Sequence, residues 1–226
     1  RNAMWGRSHD KGALARRLSA STACPVSDLQ LDSGSRVAVI GGGPSGAFFA
    51  YFLLRLAKRL DLELDVDIYE PRYFNHLGPA GCNYCGGIIS ESLVQLLAAD
   101  GINLPHGVVQ RGIDSYTLHT DVGSVSIGTP LHEKRIAAIY RGGGPKGVAE
   151  ITWRSFDNFL LELAEDRGAR IRREMISDVE QRDGMPYLKT ANGTGRVYDL
   201  MVMAAGVNSR ILERVESMGV GFKCPK

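Results

Sequence analysis

Residues 36 to 46, RVAVIGGGPSG, decide the fold of this chain. The run Val37–Ile40 is apolar and mostly β-branched, which is typical of a strand buried in a parallel sheet. The residues that follow have the spacing GxGxxG, with Gly41, Gly43 and Gly46 at its fixed positions. The next segment, AFFAYFLLRLAKRL, is long and apolar enough for a helix that packs on a sheet. The sequence therefore predicts a strand, a glycine-rich turn and a helix in direct succession.

A second strand and an acidic residue complete this unit. Residues 63 to 69, ELDVDIY, alternate as in a strand, and Glu70 follows at the strand's end, 29 residues after Gly41. In a dinucleotide-binding βαβ unit, the first glycine permits a tight turn, the second lets the backbone approach a pyrophosphate, and the third lets helix and strand pack closely. The N–H groups at the start of the helix attract phosphate, and the Ser45 hydroxyl can donate to it. Glu70 is expected to accept hydrogen bonds from a ribose diol.

The composition excludes several other classes of protein. The 226 residues carry 27 basic and 25 acidic side chains, and this balance lacks the clustered basic excess that binding to nucleic acid needs. The longest apolar run, Ala47 to Leu54, is far shorter than the ~20 residues of a membrane span. Four cysteines do not make a secreted disulfide scaffold at this length. We therefore expect a cytoplasmic protein with no nucleic-acid partner.

Two regions are expected, divided near residue 35. Residues 1–34 lack sustained periodicity and the apolar core of a signal peptide, so they are predicted to form a flexible arm. Residues 35–226 are predicted to form an α/β domain around a parallel sheet, and 107–140 to contribute to a second, antiparallel sheet. The further predicted elements are a loop over 72–89, helices over 90–100, 155–167 and 209–218, a hairpin over 113–127, and strands over 136–140, 171–181, 187–190 and 200–204.

Four stretches resemble a single group of flavoproteins. The turn GGGPSG together with Glu70-Pro71-Arg72 is similar to the FAD-binding fingerprint. Residues 153–160, WRSFDNFL, with the later Gly-Ala pair at 168–169, resemble the RxxFDxxLxxxAxxxGA helix of FAD-dependent reductases and hydroxylases. Residues 199–209, DLMVMAAGVNS, resemble the second FAD segment of that family. Cys85-Gly86-Gly87 resembles the Cys-Gly-rich motif of geranylgeranyl reductases.

The resemblance implies a Rossmann-like, three-layer FAD-binding domain with part of an antiparallel sheet on the substrate side. It implies reduction of carbon–carbon double bonds in an isoprenoid or similar apolar small molecule, by hydride transfer from reduced flavin. The resemblance is compatible with either NAD(P)H or a redox protein as electron donor. A lipid substrate would be compatible with peripheral contact between the protein and a membrane. The residues implied to bind FAD are Gly41, Gly43, Pro44, Ser45, Gly46, Glu70, Pro71, Arg72, Arg154, Ala205 and Gly206, and those implied at the reacting face are Cys82, Cys85, Gly86 and Gly87.

Two departures from the family pattern and two alternatives accompany this resemblance. Aromatic hydroxylases have an Asp where this chain has Ala205, which favours a reductase. The family's later Gly-Asp motif has no counterpart before Lys226, so we expect this chain to be an N-terminal portion. Cys82 and Cys85 form a CxxC, so a flavin-dependent thiol-disulfide oxidoreductase is one alternative. The other is a non-catalytic dinucleotide-binding fragment. No metal site is expected, because neither cysteine has further ligands at suitable spacing.

Overall fold

A computed structural model of the chain describes residues 30–74, 87–141, 155–207 and 209–224. The chain divides into two units, Arg1–Leu31 and Asp32–Lys226, and every element below belongs to the second unit. Most of the expected N-terminal arm, 1–34, lies outside the described residues, as do Cys82, Cys85, Gly86 and Arg154.

The second unit alternates strands and helices in its first third and is mostly strands thereafter. In chain order its elements are β1 (Arg36–Ile40), α1 (Pro44–Arg59), β2 (Asp65–Tyr69), β3 (Ile88–Ser90), α2 (Glu91–Ala99), β4 (Val109–Ile113), β5 (Ser115–Thr120), β6 (Gly123–Gly128), β7 (Ile136–Ile139), α3 (Phe156–Glu165), β8 (Arg170–Arg172), β9 (Ile176–Arg182), β10 (Met185–Thr190), β11 (Gly195–Val197), β12 (Leu200–Met203) and α4 (Ile211–Ser217). Within the four described ranges, no helix is long and apolar enough to cross a bilayer.

The central sheet is parallel and has the strand order β12-β1-β2-β8. The chain leaves β1 through α1 and enters β2 on one side, whereas β12 lies against the other side of β1. The strand order therefore reverses at β1. In open α/β sheets, ligands bind at the carboxyl ends of the strands beside such a reversal. The fold thus predicts that the residues following β1, β2 and β12 line a ligand-binding site.

Both faces of the parallel sheet are covered. Val39 faces α1, where a Cβ placed on Gly46 would lie 3.1 Å from the Val39 side chain. The opposite face presents Ala38, Ile40 and Tyr69, which pack with residues of β9, β10 and α4 in one buried cluster. Helices, parallel sheet and antiparallel sheet therefore form three layers, as predicted from the sequence.

Most of the predicted elements are confirmed. The order β1, glycine turn, α1 and β2 is as expected. Helix α2 begins as predicted, because the Ser90 hydroxyl accepts a hydrogen bond of 3.2 Å from the N–H of Leu93. It ends before Gly101, whose φ of +79° favours glycine.

One strand prediction is wrong, and strand pairing modifies two others. The segment 171–181 is two strands: β8 joins the parallel sheet, and β9 pairs with β10 in the antiparallel sheet β11-β10-β9. The loop predicted over 72–89 ends in β3, which pairs with β7. The predicted hairpin forms as β5 and β6, but it pairs only within itself in the described part of the chain, while β7 joins β3 and β4. Segment 107–140 therefore contributes to two sheets.

Candidate functional site

A cleft of about 340 Å³ lies at the carboxyl ends of β1, β2 and β12. Three backbone hydrogen bonds continue the sheet into its floor: Gly41 donates to Tyr69, Glu70 donates to Arg172, and Ala204 donates to Ile40, at 2.8 to 3.0 Å. The structure brings nine of the sequence-predicted residues to this one lining: Gly41, Gly43, Pro44, Ser45, Glu70, Pro71, Arg72, Ala205 and Gly206.

Packing within the chain explains why two positions of the glycine turn are glycine. Gly41 has a φ of +106°, and a Cβ there would lie 2.3 Å from the carbonyl oxygen of Ala204. A Cβ at Gly46 would lie 1.9 Å from the carbonyl oxygen of Gly41. Gly46 is buried in α1 and does not line the cleft. These two glycines let the turn, the helix and β12 approach one another.

Gly43 is different, because nothing in the described chain requires a glycine there. Its φ of −67° and ψ of −176° are extended backbone that any residue adopts. A Cβ at Gly43 would meet no atom within 4 Å. Gly43 is the N-cap residue of α1 and has no side chain to cap the helix, and Pro44 follows it. Open space therefore lies directly in front of the positive end of a helix of 16 residues.

Glu70 lies beneath this space and is only 1% exposed. Its Oε2 accepts a hydrogen bond of 3.0 Å from the N–H of Gly42, and its Oε1 accepts bonds of 3.0 and 2.9 Å from the backbone N–H and Nε of Arg72. The hydrogen bond to Glu70 raises the pKa of Arg72 above its ordinary value. A Cβ at Gly42 would lie 2.7 Å from the Cβ of Glu70, so this glycine makes room for the carboxylate.

The segment that carries Glu70 is held in place by the residue that follows β8. The Nη1 of Arg173 donates a hydrogen bond of 2.6 Å to the carbonyl oxygen of Arg72, and its guanidinium lies 4.6 Å from the ring centre of Tyr73. Arg173 therefore positions the chain immediately after β2.

A second buried carboxylate, Asp157, also lines the cleft. It lies in the first turn of α3, and Arg141 binds it through two hydrogen bonds: Nε to Oδ2 at 2.7 Å and Nη2 to Oδ1 at 2.6 Å. Neither residue belongs to the set that the motifs imply for binding FAD. A signal for Asp157 was present in the quoted FDNFL stretch. Arg141 begins the glycine-rich segment RGGGPKG, whose composition is compatible with anion binding but more typical of a surface loop, and its sequence does not predict the pairing with Asp157.

Gly87 has a packing role near the second group of predicted site residues. Its φ is +64°, and a Cβ would lie 2.7 Å from the carbonyl oxygen of Ile139. Its own carbonyl accepts a hydrogen bond of 2.7 Å from the N–H of Ile139. Among the described residues, Gly87 is not part of the cleft lining. Cys82, Cys85, Gly86 and Arg154 fall outside the described ranges.

A buried polar network joins the parallel sheet to the antiparallel layer beside the cleft. The hydroxyl of Tyr198 donates to Oδ2 of Asp67 at 2.8 Å, and the Tyr69 hydroxyl lies 2.6 Å from that of Tyr198. Arg170 and Arg172 donate to Oδ1 of Asp67 at 2.8 and 3.1 Å. Burial and the hydrogen bonds with Tyr69 and Asp67 raise the pKa of Tyr198 well above its ordinary value. Tyr69 also lines the cleft, so the network supports its wall.

These features define a class of protein. A glycine turn at a helix N-terminus, an acidic residue after the second parallel strand and a cleft at the reversal of strand order are the geometry of an α/β dinucleotide-binding fold. Over the described ranges, no group of three His, Cys, Asp or Glu side chains is arranged to hold a metal ion.

Comparison with known proteins agrees with this fold. No protein-family model matches the chain. Over 195 residues the chain is 25% identical to geranylgeranyl diphosphate reductase of Synechocystis sp., covering 80% of this chain and 41% of that protein. The chain thus spans about two fifths of the length of this curated relative.

Two solved structures are similar in fold. Halogenase PltM, in its complex with phloroglucinol and FAD, has a TM-score of 0.57 at 16% identity, covering 80% of this chain and 36% of its own. The Diels-Alderase PyrE3 has a TM-score of 0.53 at 19% identity, covering 81% of this chain and 35% of its own. At these identities the likeness concerns the fold, which is the Rossmann-like α/β fold predicted from the sequence.

Proposed function

We propose that this chain binds FAD in the cleft and belongs to an oxidoreductase that reduces carbon–carbon double bonds of an isoprenoid or similar apolar substrate. The proposal includes an electron donor that is NAD(P)H or a redox protein, and a cytoplasmic location. The likeness to a geranylgeranyl diphosphate reductase supports the substrate class, and the FAD in a structural neighbour supports the cofactor.

One observation carries the cofactor proposal: neither packing nor backbone conformation within the described chain requires glycine at position 43. A side chain there would fill the open space in front of α1. A pyrophosphate in that space would accept hydrogen bonds from the helix N–H groups and be stabilised by the helix dipole. A Cβ at Gly43 would keep it away, which accounts for the glycine.

The other cleft residues also fit a dinucleotide. Ser45, in the first turn of α1, can donate its hydroxyl to a phosphate. Glu70 lines the same cleft, and a ribose hydroxyl that donates to it would replace one of the hydrogen bonds from Arg72. Gly42 and Arg72 hold the Glu70 carboxylate in position. Ala205 and Gly206 bring the end of β12 to the same cleft. When bound, FAD supplies hydride chemistry, and the protein's part is to bind, orient and exclude water.

We propose that Cys82, Cys85, Gly86 and Gly87 border the substrate, in agreement with the motif that they resemble, and that Arg154 contacts the cofactor. The two alternatives make different predictions for these positions. A thiol-disulfide oxidoreductase requires both cysteines, and a non-catalytic dinucleotide-binding module requires neither.

Flavin binding tests the proposal. The purified chain is mixed with FAD, separated from free FAD by gel filtration, and examined for visible flavin absorption. We expect bound flavin in the parent chain and in Gly128→Ala, since Gly128 lies away from the cleft and a Cβ there makes only an ordinary contact of 3.9 Å. We expect Gly43→Ala to remain folded and to bind FAD at least ~10-fold more weakly. A parent chain without flavin, or a Gly43→Ala variant with unchanged affinity, would overturn the cofactor proposal.

Product analysis tests the reaction. The flavin-loaded protein, reduced with dithionite, is given geranylgeranyl diphosphate, and the products are examined by mass spectrometry. Hydrogenated product supports the proposal. Reduction of a small disulfide instead, lost in both Cys82→Ser and Cys85→Ser, would establish the first alternative. Flavin binding with neither product would favour the non-catalytic module.

A further inference from the structure

We propose that Arg141, anchored by the buried carboxylate of Asp157, is a further phosphate-binding residue of the cleft. This inference rests on the proposed binding of FAD and adds a residue that lies outside the FAD-binding motifs. Asp157 is its positioning residue.

The arrangement of charge in the pair supports this role. The Asp157 side chain is 1% exposed and that of Arg141 is 15% exposed, and both line the cleft. The anion is therefore the inner member of the pair and the cation the outer one. Two hydrogen bonds from Nε and Nη2 fix the plane of the guanidinium, so its orientation is set before a ligand arrives.

A second pair in the same lining has the same polarity. The Glu70 side chain is 2% exposed and the Arg72 side chain is 46% exposed, so here too the carboxylate lies inside and the guanidinium outside. The N-terminus of α1 adds a third positive end at the cleft. Each ion pair is neutral as a whole, so the N-terminus of α1 supplies the net positive potential and the two outer guanidinium groups supply hydrogen-bond donors. This combination favours an anionic ligand with several acceptor oxygens, and a diphosphate has this property.

Stability does not explain the Arg141–Asp157 pair. Burying two charges costs free energy that their attraction barely returns, and an apolar pair of similar size is often equally stable. The carboxylate of Asp157, in contrast, holds the guanidinium of Arg141 in a fixed orientation at the cleft, and such preorganisation favours the binding of phosphate oxygens. Binding therefore explains the pair better than folding does.

The test compares ligands with and without phosphate. Dissociation constants for ADP and adenosine are measured by calorimetry or ligand-observed NMR for the parent chain and for Arg141→Met. We expect ADP to bind ~10-fold or more weakly to the variant while the affinity for adenosine stays unchanged. Arg141→Lys keeps the charge but loses the planar fork, so we expect a smaller loss for ADP.

Two further variants separate binding from folding. Arg135→Met is the matched control, because Arg135 pairs with Glu133 on the exposed surface outside the cleft. Since Arg141→Met leaves Asp157 unpaired, the double variant Arg141→Met/Asp157→Asn removes both charges, and thermal unfolding reports whether it is folded. We expect the double variant to be folded and to bind ADP as weakly as Arg141→Met.

The outcomes distinguish this inference from the proposed function. If the parent chain binds neither FAD nor ADP, the proposed function fails and the inference fails with it. If the parent binds both ligands and the folded double variant binds ADP as tightly as the parent, only the inference is overturned. An equal loss for adenosine and ADP would assign the pair a purely structural role and would also overturn it.

Discussion

The backbone N–H of Gly42 donates a hydrogen bond of 3.0 Å to Oε2 of Glu70, which joins the glycine turn to the end of the second strand. The two residues are 28 positions apart in sequence. The same contact explains the glycine at 42, since a Cβ there would collide with the Cβ of Glu70. The acidic residue is thus fixed by the turn before any ligand arrives.

Glu70→Gln tests the role of this carboxylate. Gln keeps an acceptor oxygen for the Gly42 N–H but has no negative charge to face Arg72. Its NH2 group is a donor, so it cannot accept a hydrogen bond as the second carboxylate oxygen does. We expect ADP and FAD to bind ~10-fold or more weakly, with a loss of stability of roughly 1–2 kcal/mol. Fluorescence quenching of FAD and urea unfolding measure the two effects. Glu180→Gln is the control, because Glu180 is a half-exposed residue of β9 outside the cleft. Equal affinities in both variants would contradict the assigned role.

The glycines of the turn differ in what they do for stability. Gly46→Ala places a methyl group 1.9 Å from the carbonyl oxygen of Gly41, so helix and strand must separate. We expect a loss of ~3 kcal/mol or more, or no folded protein. Gly43→Ala meets no atom within 4 Å and changes only the N-cap, so its cost is about 1 kcal/mol at most. Thermal unfolding of the two variants distinguishes them, and similar losses in both would be contrary to the structure.

The local sequence pattern was sufficient to predict the elements around β1, because an apolar run, a glycine-rich turn and a long apolar helix are each recognisable from neighbouring residues. It failed between β8 and β9. The residues between these strands, Arg173 to Met175, include neither glycine nor proline, so the sequence contains no turn signal there. What separates the strands is long-range: β8 pairs with β2, and β9 pairs with β10.

The candidate site shows the same limit. Gly41, Gly43, Gly46 and Glu70 follow a fixed spacing that a single sequence reveals. Arg141 and Asp157 follow no such spacing. Their contact depends on the hydrogen bond of 2.7 Å that the N–H of Phe156, at the start of α3, donates to the carbonyl oxygen of Tyr140, just after β7. A pairing of this kind is set by tertiary structure and leaves no local pattern.

Tyr198→Phe tests the network between the layers. The Tyr198 hydroxyl uses its one proton on Asp67, so Tyr69 is the donor in the bond between the two tyrosines. The variant leaves the buried Tyr69 hydroxyl without its acceptor and Asp67 without one donor. We expect a loss of roughly 1–3 kcal/mol in urea unfolding. Tyr116→Phe, on the exposed hairpin β5–β6, should change stability by less than ~0.5 kcal/mol. Equal effects of the two substitutions would argue against the network.

The lowered pKa of Asp67 makes the free energy of unfolding depend on pH. Burial acts to raise its pKa, but hydrogen bonds from Arg170 and Tyr198 and the charges of Arg170 and Arg172 outweigh burial, so the pKa lies below its ordinary value. An unfolded Asp has a pKa of ~3.9. Because the folded value is lower, the contribution of Asp67 is fully present above the unfolded pKa and is lost as pH falls through the folded pKa.

We therefore expect the free energy of unfolding of the parent chain to fall as the pH drops below about 4, and to fall less steeply in Asp67→Asn. At neutral pH the variant should already be less stable, because the neutral amide cannot replace the charge that Arg170 and Arg172 face. Asp183→Asn, at an exposed turn with a φ of +50° that suits Asn, is the matched control and should keep the slope of the parent. If Asp67→Asn also keeps that slope, the ion pairs of Asp67 do not stabilise the fold in solution.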